Sequence, residues 1–309
     1  MIIKNLRILA SAVMVTLMVF IAELSGQTEM IFPEAAALVM GAWITGKQPW
    51  NTDRSRIVVC MTVSAFVGWI ISAFLSTFLC IKIIIGFAIC LILLILSKCT
   101  LFPLISACIL PIMTNVKSVF YPVSVMILSA IIIIVQYAME IKKIRKPVRF
   151  CPVIFDLKTD VKKWLVIFSL VVFMALAVEF SGASFILAPP LIVLLCEFMQ
   201  KDSKPAKTPF IMFFLTGLCA CFGTCMRLML CDMLHLPLTA AALIISVSVF
   251  YFMMMINTPF PPACALSLLP LIITTDQLPP YPFEVMFGCA VLIIVSELTV
   301  KKLYKGASE

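Results

Sequence analysis

The chain carries ELSGQTEMIFPEAAALVMGAWITGKQP at residues 23–49 and EFSGASFILAPPLIVLLCEFMQKDSKP at residues 179–205. The two stretches align without a gap at an offset of 179 − 23 = 156 residues. The matching positions are Glu23/Glu179, Ser25/Ser181, Gly26/Gly182, Thr28/Ser184, Pro33/Pro189 and Pro49/Pro205. This internal match indicates that the chain contains two copies of one structural unit.

The match continues beyond these stretches. Phe102-Pro103 pairs with Phe260-Pro261 at an offset of 260 − 102 = 158, and Tyr121-Pro122 pairs with Tyr281-Pro282 at an offset of 281 − 121 = 160. In a hydrophobic chain, tandem copies are typical of two membrane bundles related by a pseudo-two-fold axis, and transporters of this kind place their site between the bundles.

The composition indicates a membrane protein. Of 309 residues 63% are hydrophobic and 12% are charged, and the mean hydropathy is +1.17. A soluble domain carries about 25% charged residues. Apolar runs of about 17–22 residues recur along the chain and are long enough to cross a bilayer as helices. We therefore expect an all-α polytopic membrane protein whose main partner is the lipid bilayer.

Six apolar segments recur in each copy. They lie at roughly 6–22, 30–46, 56–79, 81–97, 101–116 and 119–141, and again at roughly 162–178, 184–199, 208–230, 237–256, 259–275 and 282–300. This pattern predicts a first membrane repeat at residues 1–147, a basic cytoplasmic linker at 148–161 and a second membrane repeat at 162–309. The fifth segment of each copy is short and begins at a proline, so it fits either a full span or a half-helix.

The positive charges predict the topology. With six crossings per copy and the amino terminus inside, only Lys82, Lys117 and Arg227 of the 23 basic residues fall outside the cytoplasm. Five crossings per copy would invert the second copy. An even number predicts two parallel repeats related by an axis along the membrane normal, in a bacterial cytoplasmic membrane with both termini cytoplasmic. The net charge of +8 does not indicate nucleic acid, because the basic residues lie in short loops.

Each copy also has two segments that begin at proline. In the first, Ser25-Gly26 leads into Pro33 and Ser181-Gly182 leads into Pro189-Pro190; in the second, the helices begin at Pro103 and Pro261. A helix that begins inside a membrane leaves unpaired N–H groups and a positive dipole end, which must face protein, water or a ligand. Several such ends around one cavity favour an anion. Alternatively, the prolines only mark where helices enter from the interface.

The predicted substrate site lies between the two copies and faces a single cavity. Its residues are Ser25, Gly26, Thr28, Pro33, Pro103, Ser181, Gly182, Ser184, Pro189, Phe260, Pro261, Pro262 and Ala263. Few ionisable groups lie near the membrane core, and they include Glu34, Glu197 and Arg227. An ionisable residue within a membrane segment indicates a functional site by default. We interpret Arg227 and Asp232 as a local pair near an outer helix end.

The sequence contains no arrangement that indicates an enzyme. It lacks a Ser/His/Asp constellation, a phosphate-binding loop and paired carboxylates in the apolar segments. Cys221 and Cys225 are four residues apart and share a helix face, which suits a soft metal such as copper(I). However, no CxxC is present and the chain has one His, so we interpret its cysteines as packing residues and expect no metal and no cofactor.

Three stretches resemble a known family. FPPACALSLLP at 260–270 resembles the His-Pro-Pro signature of the HPP family of bacterial and plant membrane proteins. FSGASFILAPP at 180–190 is similar to the Gly-Ala-Ser segment that precedes that signature, and Gln48-Pro49-Trp50-Asn51 is similar to the family's Gln-Pro-Arg-Asn loop. The chain then looks like a tandem duplication of an HPP-type unit. Some members have been linked to nitrite movement across membranes, so the resemblance implies a small anion.

Two departures from the family pattern affect what the resemblance implies. Phe260 and Phe102 stand where the family has histidine, which puts a histidine-dependent step in doubt. The Gln-Pro-Arg-Asn loop is replaced by Lys-Pro-Ala-Lys at 204–207 in the second copy.

Three functions remain open from the sequence. The first is a transporter or channel for a small solute, favouring a small anion. The second is a membrane scaffold or partner subunit that transports nothing, which the sparse polar lining favours. The third is an efflux protein similar to aromatic-acid exporters, although those usually add a cytoplasmic domain. The sequence is compatible with a homo-oligomer and identifies neither the solute nor the coupling ion.

The topology can be tested with reporter fusions after residues 155 and 309. We expect both reporters to be cytoplasmic, because this places nearly all the basic residues inside. Compartment-specific activities of alkaline phosphatase and green fluorescent protein provide the measurement. A periplasmic signal at either position would contradict two parallel repeats.

Overall fold

The computed structural model describes residues 2–153, 159–200 and 203–305. Within these ranges the chain is helical and contains no strand. Residues 154–158 of the predicted linker and the last residues, 306–309, lie outside the described part, as do both proposed fusion sites.

The helices, in chain order, are α1 (Ile2–Leu24), α2 (Glu34–Val39), α3 (Arg54–Phe74), α4 (Leu79–Ser97), α5 (Pro103–Met113), α6 (Phe120–Ile141), α7 (Thr159–Ser181), α8 (Pro189–Phe198), α9 (Lys204–Lys207), α10 (Pro209–Met226), α11 (Leu238–Met255), α12 (Pro261–Leu268) and α13 (Tyr281–Lys305). Short 3₁₀ turns cover Thr28–Met30, Ser184–Leu187, Leu269–Leu271 and Thr275–Gln277. Wider π turns extend α2 over Met40–Ile44 and α10 over Arg227–Met233.

Eight helices in the described ranges are long and apolar enough to cross a membrane: α1, α3, α4, α6, α7, α10 with its π turn, α11 and α13. Large apolar side chains are exposed on their outer faces, for example Leu9, Phe173, Phe210 and Phe287. Water would make such a surface unfavourable, whereas lipid tails would solvate it. The prediction of a helical membrane protein is therefore confirmed at this level.

Four short helices fill the centre of the fold. All six residues of α2 and all eight of α12 are buried, and α5 and α8 are buried along almost their whole length. A helix that is apolar on every side needs protein on every side. The fifth segments of both copies are short, as the sequence suggested, but the second segments are also short, because Pro33 and Pro189 start α2 and α8 late.

Contacts at the helix ends define two faces of the molecule. On the amino-terminal face, Arg7 at the start of α1 contacts the carbonyls of Ile44 and Thr45. On the opposite face, Ser118 N–H donates to Glu29 over 3.1 Å, and the Trp69 indole donates to Lys117 O over 2.9 Å. The short segments that contain α2 and α5 therefore run from one face to the other.

The two halves of the chain contact each other along matching helices. Two helices of the first half, α1 and α2, pack against α11 and α12 of the second half. The corresponding helices of the second half, α7 and α8, pack against α4 and α5 of the first half. The repeated Glu23/Glu179 pair lies at these seams. Glu23 accepts from Leu238 N–H over 2.7 Å at the start of α11, and Glu179 accepts from Cys80 N–H over 3.0 Å at the start of α4. A carboxylate there satisfies free N–H groups at the helix start.

Two glycines allow long helices to approach short ones at backbone distance. A Cβ on Gly68 of α3 would lie 2.1 Å from Cys108 O of α5, and a Cβ on Gly223 of α10 would lie 2.1 Å from Ser267 O of α12. Any side chain at either position would force the helices apart. The short helices are therefore held by backbone proximity and not only by side-chain packing.

Gly68→Ala tests this close approach. We expect it to lower the free energy of unfolding by about 1–3 kcal/mol, because overpacking shifts backbone. Thermal unfolding of the purified protein in detergent measures the effect. Gly46→Ala is the matched control, since nothing lies within 4 Å of its Cβ position. Equal melting temperatures for the two variants would contradict the interpretation.

Candidate functional site

A small cavity lies where the four short helices begin. Its volume, measured as the space that the centre of a water molecule can occupy, is about 10 Å³. This volume is near the minimum that holds one water molecule. The lining residues are Glu34 and Ala37 of α2, Trp50, Pro103 and Ser106 of α5, Pro190 and Val193 of α8, and Pro261, Pro262 and Ala265 of α12. We call this space the central cavity. Both halves of the chain contribute to it.

Glu34 is the acidic residue of the central cavity. It is 1% exposed, and neither of its carboxylate oxygens has a hydrogen-bond partner among the described residues. Ser106 lines the same cavity, and its hydroxyl lies near the Glu34 carboxylate without a well-formed hydrogen bond between them. Buried polar groups are nearly always hydrogen-bonded in folded proteins. A buried carboxylate and a hydroxyl without well-formed hydrogen bonds therefore line the same cavity.

The first turns of α5, α8 and α12 surround Glu34. Each starts with proline, and α8 and α12 start with two in succession, Pro189-Pro190 and Pro261-Pro262. Their positive dipole ends favour negative charge in the cavity. Proline also removes N–H donors from the helix start, so these ends supply a favourable field but few hydrogen bonds.

Trp50 closes the central cavity towards the amino-terminal face. Its indole is 3% exposed and packs on Gly41, where a Cβ would lie 2.6 Å from the ring. Glycine at position 41 is thus needed for the ring to reach the cavity. Trp50 belongs to the loop between α2 and α3.

A second cavity, of about 70 Å³, lies towards the opposite face. Thr28, Glu29 and Tyr121 are among its lining residues. The buried segment 31–33 separates it from the central cavity, with Phe32 edge-on to Tyr121 at 6.1 Å between ring centroids. The Tyr121 hydroxyl donates to Ala107 O over 2.9 Å, which anchors this barrier to α5.

Two arginines hold the other end of α2. Arg7 donates to Ile44 O over 2.7 Å and to Thr45 O over 2.8 Å, and Arg145 donates to Gly41 O over 3.2 Å. Cations at a helix C-terminus satisfy free carbonyls and complement the dipole. These contacts fix α2 and therefore the position of Glu34.

Arg145 is itself buried and forms an ion pair with Glu140. Its side chain is 1% exposed, and it lies 3.4 Å from Glu140, whose carboxylate also contacts Arg54 and accepts from Gln136 over 3.0 Å. Burial lowers the pKa of Arg145 to about 10, against the opposing effect of the Glu140 charge. The guanidinium therefore stays protonated at neutral pH, with Glu140 as its counter-charge.

The structure brings only part of the predicted site together. Pro103, Pro261 and Pro262 line the central cavity, and Pro33 and Pro189 directly precede Glu34 and Pro190, which line it. Phe260 and Ala263 are buried in or next to the first turn of α12 but do not line it. Ser25, Gly26, Ser181 and Gly182 are exposed on the opposite face, Thr28 lines the second cavity, and Ser184 begins a 3₁₀ turn.

The two Ser-Gly turns lie away from the prolines because they terminate α1 and α7. Gly26 and Gly182 have φ angles of +66° and +72°, and the N–H of Gly182 donates to Val178 O over 2.9 Å. This is the usual helix-ending role of glycine. Between each Ser-Gly turn and the proline that follows it, a 3₁₀ turn and extended residues lead the chain back into the molecule. The Ser-Gly turn and the proline therefore do not line the same cavity.

Several lining residues were outside the predicted site. Glu34 was noted in the sequence as an ionisable group near the core, and its position directly after Pro33 was the available signal. Ala37, Val193 and Ala265 are ordinary apolar helix residues, which no local pattern distinguishes. Trp50 belongs to the Gln48–Asn51 loop motif, in which nothing indicates that its ring lines a cavity. Arg227 donates to Asp232 over 2.8 Å, as the predicted local pair.

No protein-family model, curated protein or solved structure matches the chain. The resemblance to the HPP family therefore remains a prediction from the sequence motifs.

Glu140→Gln tests the support beneath α2. We expect a loss of about 3 kcal/mol in the free energy of unfolding, because the buried Arg145 loses its charge partner. Asp53→Asn is the control: the Asp53–Arg56 pair has side chains that are 33% and 38% exposed. Asparagine still caps α3, so the control should cost at most about 1 kcal/mol. Similar losses, measured by denaturant titration, would contradict a special role for Glu140.

Proposed function

We propose that this protein is a membrane transporter for a small solute, with its site at the central cavity. The observation that carries the proposal is the unpaired Glu34 carboxylate at the meeting point of four buried short helices. Short helices that start within the membrane and face a shared cavity are the usual way in which transporters build a substrate site. A purely structural core would gain stability from an apolar residue at position 34.

The barriers on either side of the cavity support alternating access. Trp50 blocks the amino-terminal side, and Phe32 with Tyr121 blocks the side of the second cavity. In the proposed mechanism, this conformation is the occluded one. Transport would require each barrier to open in turn, with the second cavity serving as an entrance.

The proposal includes two parallel six-segment repeats related by an axis along the membrane normal. The matched contacts of α1 with α11 and α7 with α4 support it, as does the equivalent capping by Glu23 and Glu179. The distribution of basic residues supports a bacterial cytoplasmic membrane with both termini in the cytoplasm. The repeats would then be two HPP-type units, as the FPPACALSLLP motif suggests.

The solute that we propose is a small anion. Three positive helix ends face the cavity and would attract an anion. The described lining contains no lysine or arginine, so this attraction would come from the helix ends. The small volume favours a solute of a few atoms over an aromatic acid. The same tightness also supports a second candidate function, a membrane scaffold that transports nothing, so the test has to separate the two.

Uptake by proteoliposomes provides that test. Chloride, nitrate, nitrite, formate and sulfate form a panel, with protein-free liposomes as the background. We expect saturable uptake of at least one monovalent anion. Uptake at the background rate for all five would favour the scaffold.

Val193→Ala links transport to the cavity. It removes two methyl groups from the lining, and we expect the rate for the larger monovalent anions to rise relative to the smallest, since one missing methyl-sized contact changes discrimination by about 1–3 kcal/mol. Val39→Ala is the matched control, a buried valine of α2 that does not line the cavity. Equal changes in selectivity in both variants would place the site elsewhere.

A further inference from the structure

The central cavity places one carboxyl group against three positive helix ends. Glu34 is buried, unpaired and directed into the space that the first turns of α5, α8 and α12 enclose. A buried carboxylate without a counter-charge costs several kcal/mol unless it takes up a proton or a partner. The positive helix ends offset part of this cost. Both the protonated and the ionised form of Glu34 can therefore be populated.

Nearby titratable groups do not provide a counter-charge. From the elements packed around α2, the nearby titratable side chains are Tyr121 of α6, Cys108 of α5 and Cys264 of α12, and Tyr281 of α13 is close enough for the Glu34 charge to act on its hydroxyl. The Tyr281 hydroxyl donates to Leu266 O over 2.7 Å. Phenols and thiols are ordinarily neutral at pH 7.

The charged residues of the surrounding helices are engaged elsewhere. Arg7 of α1 and Arg145 bind carbonyls at the far end of α2, seven or more residues from Glu34, which is roughly 10 Å along a helix. Glu23 of α1 caps α11, and Glu140 of α6 contacts Arg145. Glu197 of α8 lies beside the Trp50 indole, on the amino-terminal side of the cavity.

We propose that Glu34 carries the proton in a proton-coupled symport of a small monovalent anion. This rests on the proposed transport function and specifies its coupling ion. With the cavity open to one side, the Glu34 carboxylate binds a proton from water and the anion enters. With the cavity open to the other side, the anion leaves and the carboxyl group releases its proton. One proton and one anion cross together, so the cycle is electroneutral.

The prolines explain why a carboxyl group is needed. Pro190, Pro261 and Pro262 have no N–H, so the helix starts attract an anion without giving it their full number of donors. A protonated Glu34 adds an O–H donor, and the Ser106 hydroxyl can add a second. An ionised Glu34 would repel the anion. Anion binding and protonation therefore favour each other, which is the linkage that symport requires.

The proposed ratio of one proton per anion follows because only one half of the chain has a carboxyl group at this position. The position that corresponds to Glu34 at the offset of 156 is Pro190, which cannot bind a proton. The described lining contains one carboxyl group. One proton per anion can sustain about a tenfold anion gradient for each pH unit.

Glu34→Gln in proteoliposomes loaded with a pH-sensitive dye tests the coupling, with the five-anion panel and protein-free vesicles for passive entry of weak acids. For the wild type we expect anion uptake to acidify the interior and an imposed pH gradient to drive accumulation. Glutamine mimics the neutral acid, so the variant should still exchange labelled anion while pH-driven accumulation falls about tenfold per pH unit. Asp276→Asn, a change at an exposed loop residue, should behave as the wild type.

Infrared difference spectroscopy between low and high pH reports the proton directly. The other carboxyl groups of the chain, Glu197 among them, also contribute protonated-carboxyl bands. We expect one component of this signal, from the buried Glu34 carboxyl group, to be present in the wild type and in Asp276→Asn and lost in Glu34→Gln. A band unchanged in Glu34→Gln, transport without acidification, or full coupling in Glu34→Gln would each overturn the inference and leave transport itself intact. No uptake of any anion by the wild type would overturn the proposed function and the inference together.

Discussion

The constraint on which this structure depends is the need to satisfy backbone polar groups away from water. A helix that starts inside the membrane exposes N–H groups that lipid cannot bind, so it has to be enclosed by protein. In the part of the chain that the structure describes, four short helices, α2, α5, α8 and α12, are enclosed by eight longer ones. The long helices present apolar side chains outwards, and the short ones are buried on every side.

Three kinds of residue make the enclosure possible. Prolines start the short helices and remove the donors that would otherwise be unsatisfied. Gly68 and Gly223 let long helices approach them at backbone distance. Arg7 and Arg145 bind the carbonyls at the far end of α2. For α2, local chemistry at both ends therefore offsets the cost of enclosing a helix in apolar surroundings.

The central cavity is a consequence of the same arrangement. Because all four short helices begin at one place, their first turns surround a small volume, and Glu34 is the ionisable side chain within it. The field of the helix ends and the charge of the carboxyl group act in opposite senses on an anion. A proton on Glu34 removes that conflict, which is why the proposed solute and the proposed coupling ion belong together.

Because hydropathy and proline act locally along the chain, the sequence was enough to predict a helical membrane protein, the approximate positions of its apolar helices and the importance of the proline-initiated ones. It also singled out Pro103, Pro261 and Pro262. It could not determine that Trp50, Val193 and Ala265 share a cavity with Glu34, since these residues come from four separate elements. Nor could it separate the Ser-Gly turns from the prolines that follow, because that depends on how far the chain travels through turns and extended segments before the next helix starts. Only the packing of the two halves against each other decided which first turns meet.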